Sequence, residues 1–318
     1  MNPEITVVVP YYNEQETIEY TLEQVGEQSL PAESAIFVNS SSTDRTFDMV
    51  ERWIQKNQCR FSTKFRNVFE GTDNPASSKN VGIRLAETEW VAFMDCGQNF
   101  EKNWLEAQAG CAQENNSEVV SGVVYLTGEN WIDRCAAAQT YGYKRNVPCI
   151  PSTLVKKSVF DRTGLFLEGR RAGYDVAWRI RLKTLGINRV INELVKIRYI
   201  GVNYSSNLAH LFRKTSLYHV HTVRIENYLT PYAYVIFPFS ILCLSVLSLK
   251  AAGGLALSYL FARAFVIPLL KSPLMLREHP LEFLFGVGIV GISVDLARMT
   301  GVLRGILHYY LGKPVSRL

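Results

Sequence analysis

The sequence predicts an α/β fold, a mostly parallel sheet covered by helices on both faces, followed by a C-terminal group of membrane-seeking helices. Three observations carry this. Short runs such as "ITVVV", "SAIFV" and "VAFM" alternate with helical patterns through the first part of the chain. These runs are apolar at successive positions rather than at alternate ones, as strands buried on both faces require. From Pro231 the character changes: residues 231–318 carry eight Lys/Arg against three acids, whereas residues 1–230 carry 26 of each.

The first strand, ITVVV, stops at Pro10, and Asn13 is expected to cap a helix whose Ile18, Leu22 and Val25 share one face. SAIFV is the second strand and leads through "NSSSTD" into a helix with Phe47, Val50 and Ile54 at the same spacing. A helix around residues 76–86 precedes VAFM, and "NWLEAQAGCAQ" supplies another after it. Repeated strand–helix units imply a parallel sheet, and such sheets bind ligands outside the carboxyl ends of their strands. Those ends are polar in this chain: Tyr11, Tyr12, Asn13 and Glu14 after the first strand, Asn39 after the second, Asp95 after VAFM. One polar strand end is more often a helix cap than a ligand contact. Three on one sheet edge point to a site. No GxGxxG dinucleotide fingerprint follows any of these strands, and no Walker A loop is present.

Two domains are expected: residues 1–230 as a globular domain with a juxtamembrane segment, and residues 231–318 as membrane-anchoring helices. Residues 232–249 run for 18 positions without a charge, long enough for a membrane span. Residues 251–270 form a second apolar stretch, interrupted by Arg263, which should face protein or a phosphate rather than lipid. The third stretch, residues 283–294, has only 12 positions and is rich in glycine, a length that suits a re-entrant or interfacial segment. Lys271, Arg277, Arg298, Arg304, Lys313 and Arg317 all prefer the cytosolic side, which two spans plus an interfacial end satisfy. The apolar, basic end suits an anionic membrane surface, and no basic run interleaved with aromatics points to nucleic acid. Six cysteines without a CxxC pair indicate reduced thiols in a cytosolic compartment. The apolar run near the N-terminus is too short for a signal peptide.

Four blocks, "VVVPYYNEQETI", "NSSSTDRT", "ASSKNVGIRLAETEWVAFMDCG" and "GYDVAWRIRLKTLG", occur in an order and spacing that resemble family 2 glycosyltransferases over about residues 4–200. The resemblance implies a GT-A fold (a Rossmann-like nucleotide-diphospho-sugar transferase sheet) and inverting sugar transfer from a nucleotide-sugar donor. The trailing apolar segments look like those of members that build surface polysaccharides or lipid-linked glycans. A lipid-linked or glycan acceptor, a cell-membrane location and a catalytic domain in the cytoplasm follow as expectations.

Carried over onto this sequence, the resemblance places Pro10, Tyr12 and Glu14 against the nucleotide base and ribose. Asn39 stands where the family usually has a base-reading Asp; an amide both donates and accepts, so base recognition can survive with another preference. Ser42 and Thr43 read as turn and helix-cap residues and Asp44 as structural. Lys79 lies where the family has a cation near the diphosphate, with a solvated helix lysine as the alternative. Asn80 and Gly82 read as packing residues of the same helix. Asp95 matches the first acid of the family's DxD motif, which holds the donor through a divalent ion, Mg²⁺ or Mn²⁺. The second acid falls on Gly97, which puts metal use in question and leaves Asp95 as the only expected metal ligand. Asp175 matches the family's catalytic base, with Tyr174 in place of a preceding Glu; a helix-capping Asp is the alternative. Inversion needs one carboxylate to take the acceptor's proton, whereas retention would need a second, nucleophilic one. His219 and His221 either line the site, meet a lipid phosphate, or are plain juxtamembrane residues. Two rival functions stay open: transfer to a polyprenyl phosphate, and a non-catalytic sugar-nucleotide-binding partner of a polysaccharide assembly complex. The second is kept alive by Asn39, Gly97 and Tyr174, three departures at acid positions.

Overall fold

A computed structural model of the chain describes residues 3–71, 74–170, 172–199, 207–223 and 225–311. It divides into two compact units. The first comprises Met1–Tyr125 and Asn146–Val202, the second Leu126–Arg145 and Asn203–Leu318. The apolar character that begins near residue 230 thus belongs to a unit that also includes an excursion between two strands of the first.

The first unit is built on eight strands: β1 (Ile5–Tyr11), β2 (Ser34–Ser40), β3 (Lys64–Glu70), β4 (Trp90–Phe93), β5 (Gln98–Asn99), β6 (Val119–Leu126), β7 (Arg145–Lys156) and β8 (Arg189–Tyr199). They form one mixed sheet in the order β3-β2-β1-β4-β7-β6-β8-β5. β1, β2, β3 and β4 pair in parallel, as do β6 and β8, while β7 runs antiparallel to β4. The parallel half is what the repeated strand–helix pattern predicts. β3, "KFRNVFE", alternates exposed and part-buried positions because it is the edge strand.

Helices α1 (Ile18–Gly26), α2 (Thr46–Asn57), α3 (Pro75–Leu85) and α4 (Trp104–Glu114) connect successive strands. Ile18, Leu22 and Val25 are buried together, as their spacing predicts. Helix α3 begins with Asn74 accepting from the Ser77 amide at 2.9 Å and Pro75 in its first turn, a strong start signal. It lies so close to β1 that a Cβ on Gly82 would stand 2.2 Å from Val8 Cγ1. In the second unit α5 (Trp131–Gln139) comes from the excursion. The first unit resumes with α6 (Ser158–Thr163) and α7 (Tyr174–Thr184), and α8 (Leu208–Val220) returns to the second.

Three further helices of the second unit, Thr230–Leu247, Leu249–Lys271 and Glu282–Leu311, are long and apolar enough to cross a membrane. The third is the departure from expectation, being 30 residues long where the uncharged run has 12. The run stops at Asp295, but the helix does not, because Asp295 is neutralised within the unit by Arg263 and Arg298. Arg263 faces protein, with 5% of its surface exposed. A third of this helix's apolar window is buried (33%), against 6% and 11% for the other two. Phe283, Val287, Val290 and Val294 pack with Ile132, Cys135 and Ala136 of α5 and Leu211 of α8.

Candidate functional site

The candidate site lies in the first unit, at the carboxyl ends of β1, β2 and β4. Tyr11, Asn39 and Phe69 are in register across β1, β2 and β3, so the polar ends fall on one edge. Tyr12 is largely exposed there, while Pro10 is buried in β1. Asn13 does not cap α1, contrary to expectation. It takes a left-handed φ of 55°, its amide donates to Ser42 Oγ at 3.0 Å, and its Oδ1 accepts from the Thr43 amide at 2.8 Å. Asparagine is one of the few residues that enter this region cheaply, and Asn13 spends it tying the β1 end to the β2 end. Helix α1 instead starts at Ile18, with the Glu14 carbonyl accepting from Thr17 and Ile18.

Asn39 is buried, and its Oδ1 accepts from the Ser42 amide at 2.9 Å. An Asp would accept the same bond, so the turn tolerates either residue. Asp44 Oδ1 accepts from the Thr46 amide at 3.0 Å and the Thr46 hydroxyl at 2.5 Å, the structural role expected of it. On the opposite face Ser40, Ser78 and Glu70 form a hydrogen-bonded chain at 2.6 and 2.8 Å.

At the centre Lys79 Nζ meets Asp95 Oδ1 at 2.6 Å. The lysine side chain is wholly buried, and the Asp95 side chain keeps 31% of its surface exposed. The solvated-helix alternative for Lys79 is therefore excluded: a buried ammonium is tolerable only when paired. The same ammonium stands 5.9 Å from the ring centroid of Tyr174. Where the family pattern has a Glu, this chain offers the lysine an aromatic face, a weaker attraction that needs no second counter-ion.

Asp175 follows Tyr174 in the first turn of α7, whose preceding Gly173 takes a left-handed φ of 80°. Asp175 is not the cap. Its Oδ2 accepts from Arg179 Nη2 at 3.2 Å, one turn on, and the pair is more than a third exposed. Arg189 lies within electrostatic reach of Asp175, Arg179 and the Cys149 thiol, and Cys149 within reach of Asp95. Asp175, Arg179 and Arg189 thus form a charged cluster, and Cys149, kept neutral by burial, lies beside both it and Asp95. Arg179 was findable from sequence as the i+4 partner of an Asp on a helix. Cys149 and Arg189 carried no local signal, because only the pairing of distant strands brings them there.

Glu14 is half-buried. Its carboxyl is pushed above the usual range, first by loss of solvent and then by the Asp95 and Asp44 charges, against the opposing hydrogen bond from Thr17. That bond, Thr17 Oγ1 to Glu14 Oε2, measures 2.5 Å. Burial likewise pushes the Cys96 and Cys149 thiols up, so neither is a ready nucleophile. Gly97 has φ +70°, and a Cβ built there would meet nothing nearer than Glu14 Oε2 at 3.9 Å. A Cβ at the position of the missing acid thus makes ordinary contacts without a clash, at the cost of a left-handed φ. Among the described residues no group of three or more His, Cys, Asp or Glu could hold a metal. Asp95 alone fits only an ion that brings most of its own ligands, such as one chelated by a diphosphate and water. His219 and His221 belong to the second unit; burial pulls the His219 imidazole down to about 4, so it is uncharged at neutral pH.

The mostly parallel sheet with its polar carboxyl edge is a GT-A fold. Residues 6–152, just under half of the chain, match the family model described as glycosyl transferase family 2. The matched stretch holds the Lys79–Asp95 pair and ends before Asp175. Among curated relatives, the poly(ribitol-phosphate) beta-N-acetylglucosaminyltransferase TarS of Staphylococcus aureus is 29% identical over 127 residues, covering 39% of this chain and 21% of that protein. Glycosyltransferase AglE of Haloferax volcanii is 25% identical over 201 residues, covering 58% of this chain and 62% of that protein. The chain therefore spans less than two thirds of either relative. Mannosyltransferase PcManGT from Pyrobaculum calidifontis, solved with GDP-Man and Mn²⁺, superposes with a TM-score of 0.61 at 17% identity, covering 97% of this chain and 88% of that one. At that identity the likeness shows the fold.

Proposed function

We propose that this chain transfers a sugar, with inversion, from a nucleotide-sugar donor to a lipid-linked or glycan acceptor at the cytosolic face of a membrane. The observation that carries the reading is the buried Lys79 holding a part-exposed Asp95 at the carboxyl edge of the sheet. A lysine is placed wholly inside a protein at a cost, and this one fixes a single carboxylate oxygen without removing the carboxylate from solvent. The nucleotide-sugar complex and Mn²⁺ of the structural neighbour, and the polymer-directed names of relatives such as TarS, support the substrate class.

In this reading Tyr12 flanks the base and Glu14 receives ribose hydroxyls, while the buried Pro10 and Asn39 hold the strand ends beneath the base. Asp95 faces the diphosphate, where a divalent ion, when bound, supplies positive charge to the leaving group. Lys79 offsets the charge of Asp95 and keeps its carboxylate from turning. This replaces direct diphosphate contact as the role of Lys79, because a side chain without exposed surface cannot reach a ligand. Asp175 takes the proton from the acceptor hydroxyl as that oxygen attacks the anomeric carbon, and the donor's anomeric C–O bond breaks on the opposite face. With Asp175 as the base and no second carboxylate placed as a nucleophile among the described residues, the configuration inverts. The apolar helices of the same chain hold the enzyme at the membrane.

A second reading is favoured by the Arg179 contact. A carboxylate already committed to a guanidinium suits an acceptor that needs little deprotonation, such as a polyprenyl phosphate. The test of function is release of nucleoside diphosphate by the purified full chain, scanned over common nucleotide sugars with and without Mn²⁺. One donor is expected to be turned over. A chain that binds donors but turns over none of them, with any acceptor class, is a non-catalytic partner.

A further inference from the structure

Inside the second unit two guanidinium groups converge on one carboxylate. Arg263 Nε and Nη2 lie 2.5 and 2.8 Å from Asp295, and Arg298 Nη1 lies 3.1 Å from it. The Tyr259 hydroxyl donates to the same carboxylate at 2.7 Å. Asp295 thus accepts three hydrogen bonds, from Tyr259, Arg263 Nη2 and Arg298 Nη1, and the Nε of each arginine is buried without a hydrogen-bond partner among the described residues. The Arg298 guanidinium stands 5.0 Å over the ring of Tyr234, from the first apolar helix. Lys271 lies within electrostatic reach of Arg263 and Arg298 and donates to the Thr140 carbonyl at 2.8 Å.

Formal charges do not balance here. Three cations, Arg263, Arg298 and Lys271, surround one carboxylate among helices otherwise fit for lipid. The arrangement is held in place by design of the backbone. The second apolar helix widens to a π turn at Ala262–Val266, around Arg263, and the third opens with another at Glu282–Gly286. Gln139 of α5 donates to the Arg263 carbonyl at 2.6 Å and the Val287 carbonyl at 2.9 Å, satisfying acceptors beside both turns. Such turns concentrate at functional positions. Arg298 shares its one carboxylate with Arg263 and keeps 15% of its side-chain surface exposed; excess positive charge in apolar surroundings is costly unless an anion completes it, and a planar guanidinium suits a phosphate.

We propose that Arg298, backed by Arg263 and Lys271, binds the phosphate of a membrane-borne phosphate ester. This rests on the reading that the acceptor is lipid-linked. Two sources share the chemistry, a prenyl phosphate and a phospholipid headgroup, and the probes separate them. The full chain in non-ionic detergent is titrated with farnesyl monophosphate, a short-chain phosphatidylglycerol, farnesol and inorganic phosphate, with the thermal midpoint as readout. At least one of the two phosphate-bearing lipids should raise the midpoint, and Arg298→Gln should weaken its apparent Kd roughly ten- to a hundredfold, the range for a lost charge-assisted bond. The prenyl probe alone marks a substrate; the phospholipid alone marks a headgroup site. Equal binding of farnesol, equal binding of inorganic phosphate, or an unchanged Kd in the variant overturns the proposal. If Arg298→Gln does not fold, Arg298→Lys keeps the Asp295 contact but loses Nε, and binding should fall severalfold; no change overturns it. Nucleoside diphosphate binding in the same samples separates the two readings. Lipid binding that is independent of Arg298, beside intact nucleotide binding, sinks the phosphate site alone. Arg298-dependent lipid binding without nucleotide binding sinks the transferase reading alone.

Discussion

Lys79 Nζ and Asp95 Oδ1 meet at 2.6 Å, with the lysine side chain wholly buried and the aspartate still partly open. If Lys79 acts through Asp95, its loss should matter only while Asp95 is present. Lys79→Met and Asp95→Asn should each lower turnover, by about two to three orders of magnitude for a group acting on developing charge. The double variant should be no slower than Asp95→Asn alone. Additive losses in a double-mutant cycle would mean that Lys79 contacts the substrate itself.

Glu14 gives a prediction with a sign. Its folded pKa is raised, so its contribution to stability is fully present below the unfolded value and is lost as pH rises through the folded one. Glu14→Gln keeps an oxygen for the Thr17 hydroxyl and removes the charge facing Asp95. The variant should therefore gain thermal stability over the wild type at pH 7 and lose that advantage near pH 4, while donor affinity falls. Thermal midpoints at both pH values check it; an equal offset at both would sever the effect from ionisation.

The absence of a clash at Gly97 makes the missing acid testable. Gly97→Asp adds a Cβ that meets no atom closer than 3.9 Å, in a left-handed conformation that Asp tolerates better than most residues. Activity should persist, and the Mn²⁺ concentration for half-maximal rate should fall. Wild-type turnover that survives exhaustive chelation would instead make Asp95 a ribose ligand in a metal-free site.

The frame of the first unit was legible in the sequence because its strands and helices are local patterns. The polar strand ends and the Lys79, Asp95 and Asp175 positions were legible because each lies in a contiguous block. Three things were not. Asn13 looked like a cap, since its bonds to residues 42 and 43 depend on two strands lying side by side. Arg189 enters the charged cluster, and Cys149 comes beside it, through strand pairing between distant segments. The third apolar helix looked short because Asp295 looked like an end, and its partners, Arg263 on another helix and Arg298 three residues on, remove that cost.

The apolar core shared by α5, α8 and the third apolar helix bears on the anchor. Full-length chain should stay in membranes through high-salt and carbonate washes. Truncation after Thr230 removes Phe283, Val287, Val290 and Val294 from contact with Ile132, Cys135 and Leu211, leaving an apolar patch in the remaining chain. The truncated protein should aggregate rather than appear as a soluble monomer on size-exclusion chromatography. A full chain washed off by carbonate would contradict an integral anchor.

The central claim is inverting transfer with Asp175 as the only base. It is tested most directly by proton NMR of the anomeric centre during turnover of the active donor by the full chain. An α-linked nucleotide sugar should yield a β-linked product first. Asp175→Asn should lower the rate by about two to four orders of magnitude, with donor affinity little changed. A product of retained configuration, or an Asp175→Asn variant that keeps its rate on a hydroxyl acceptor, would contradict the account.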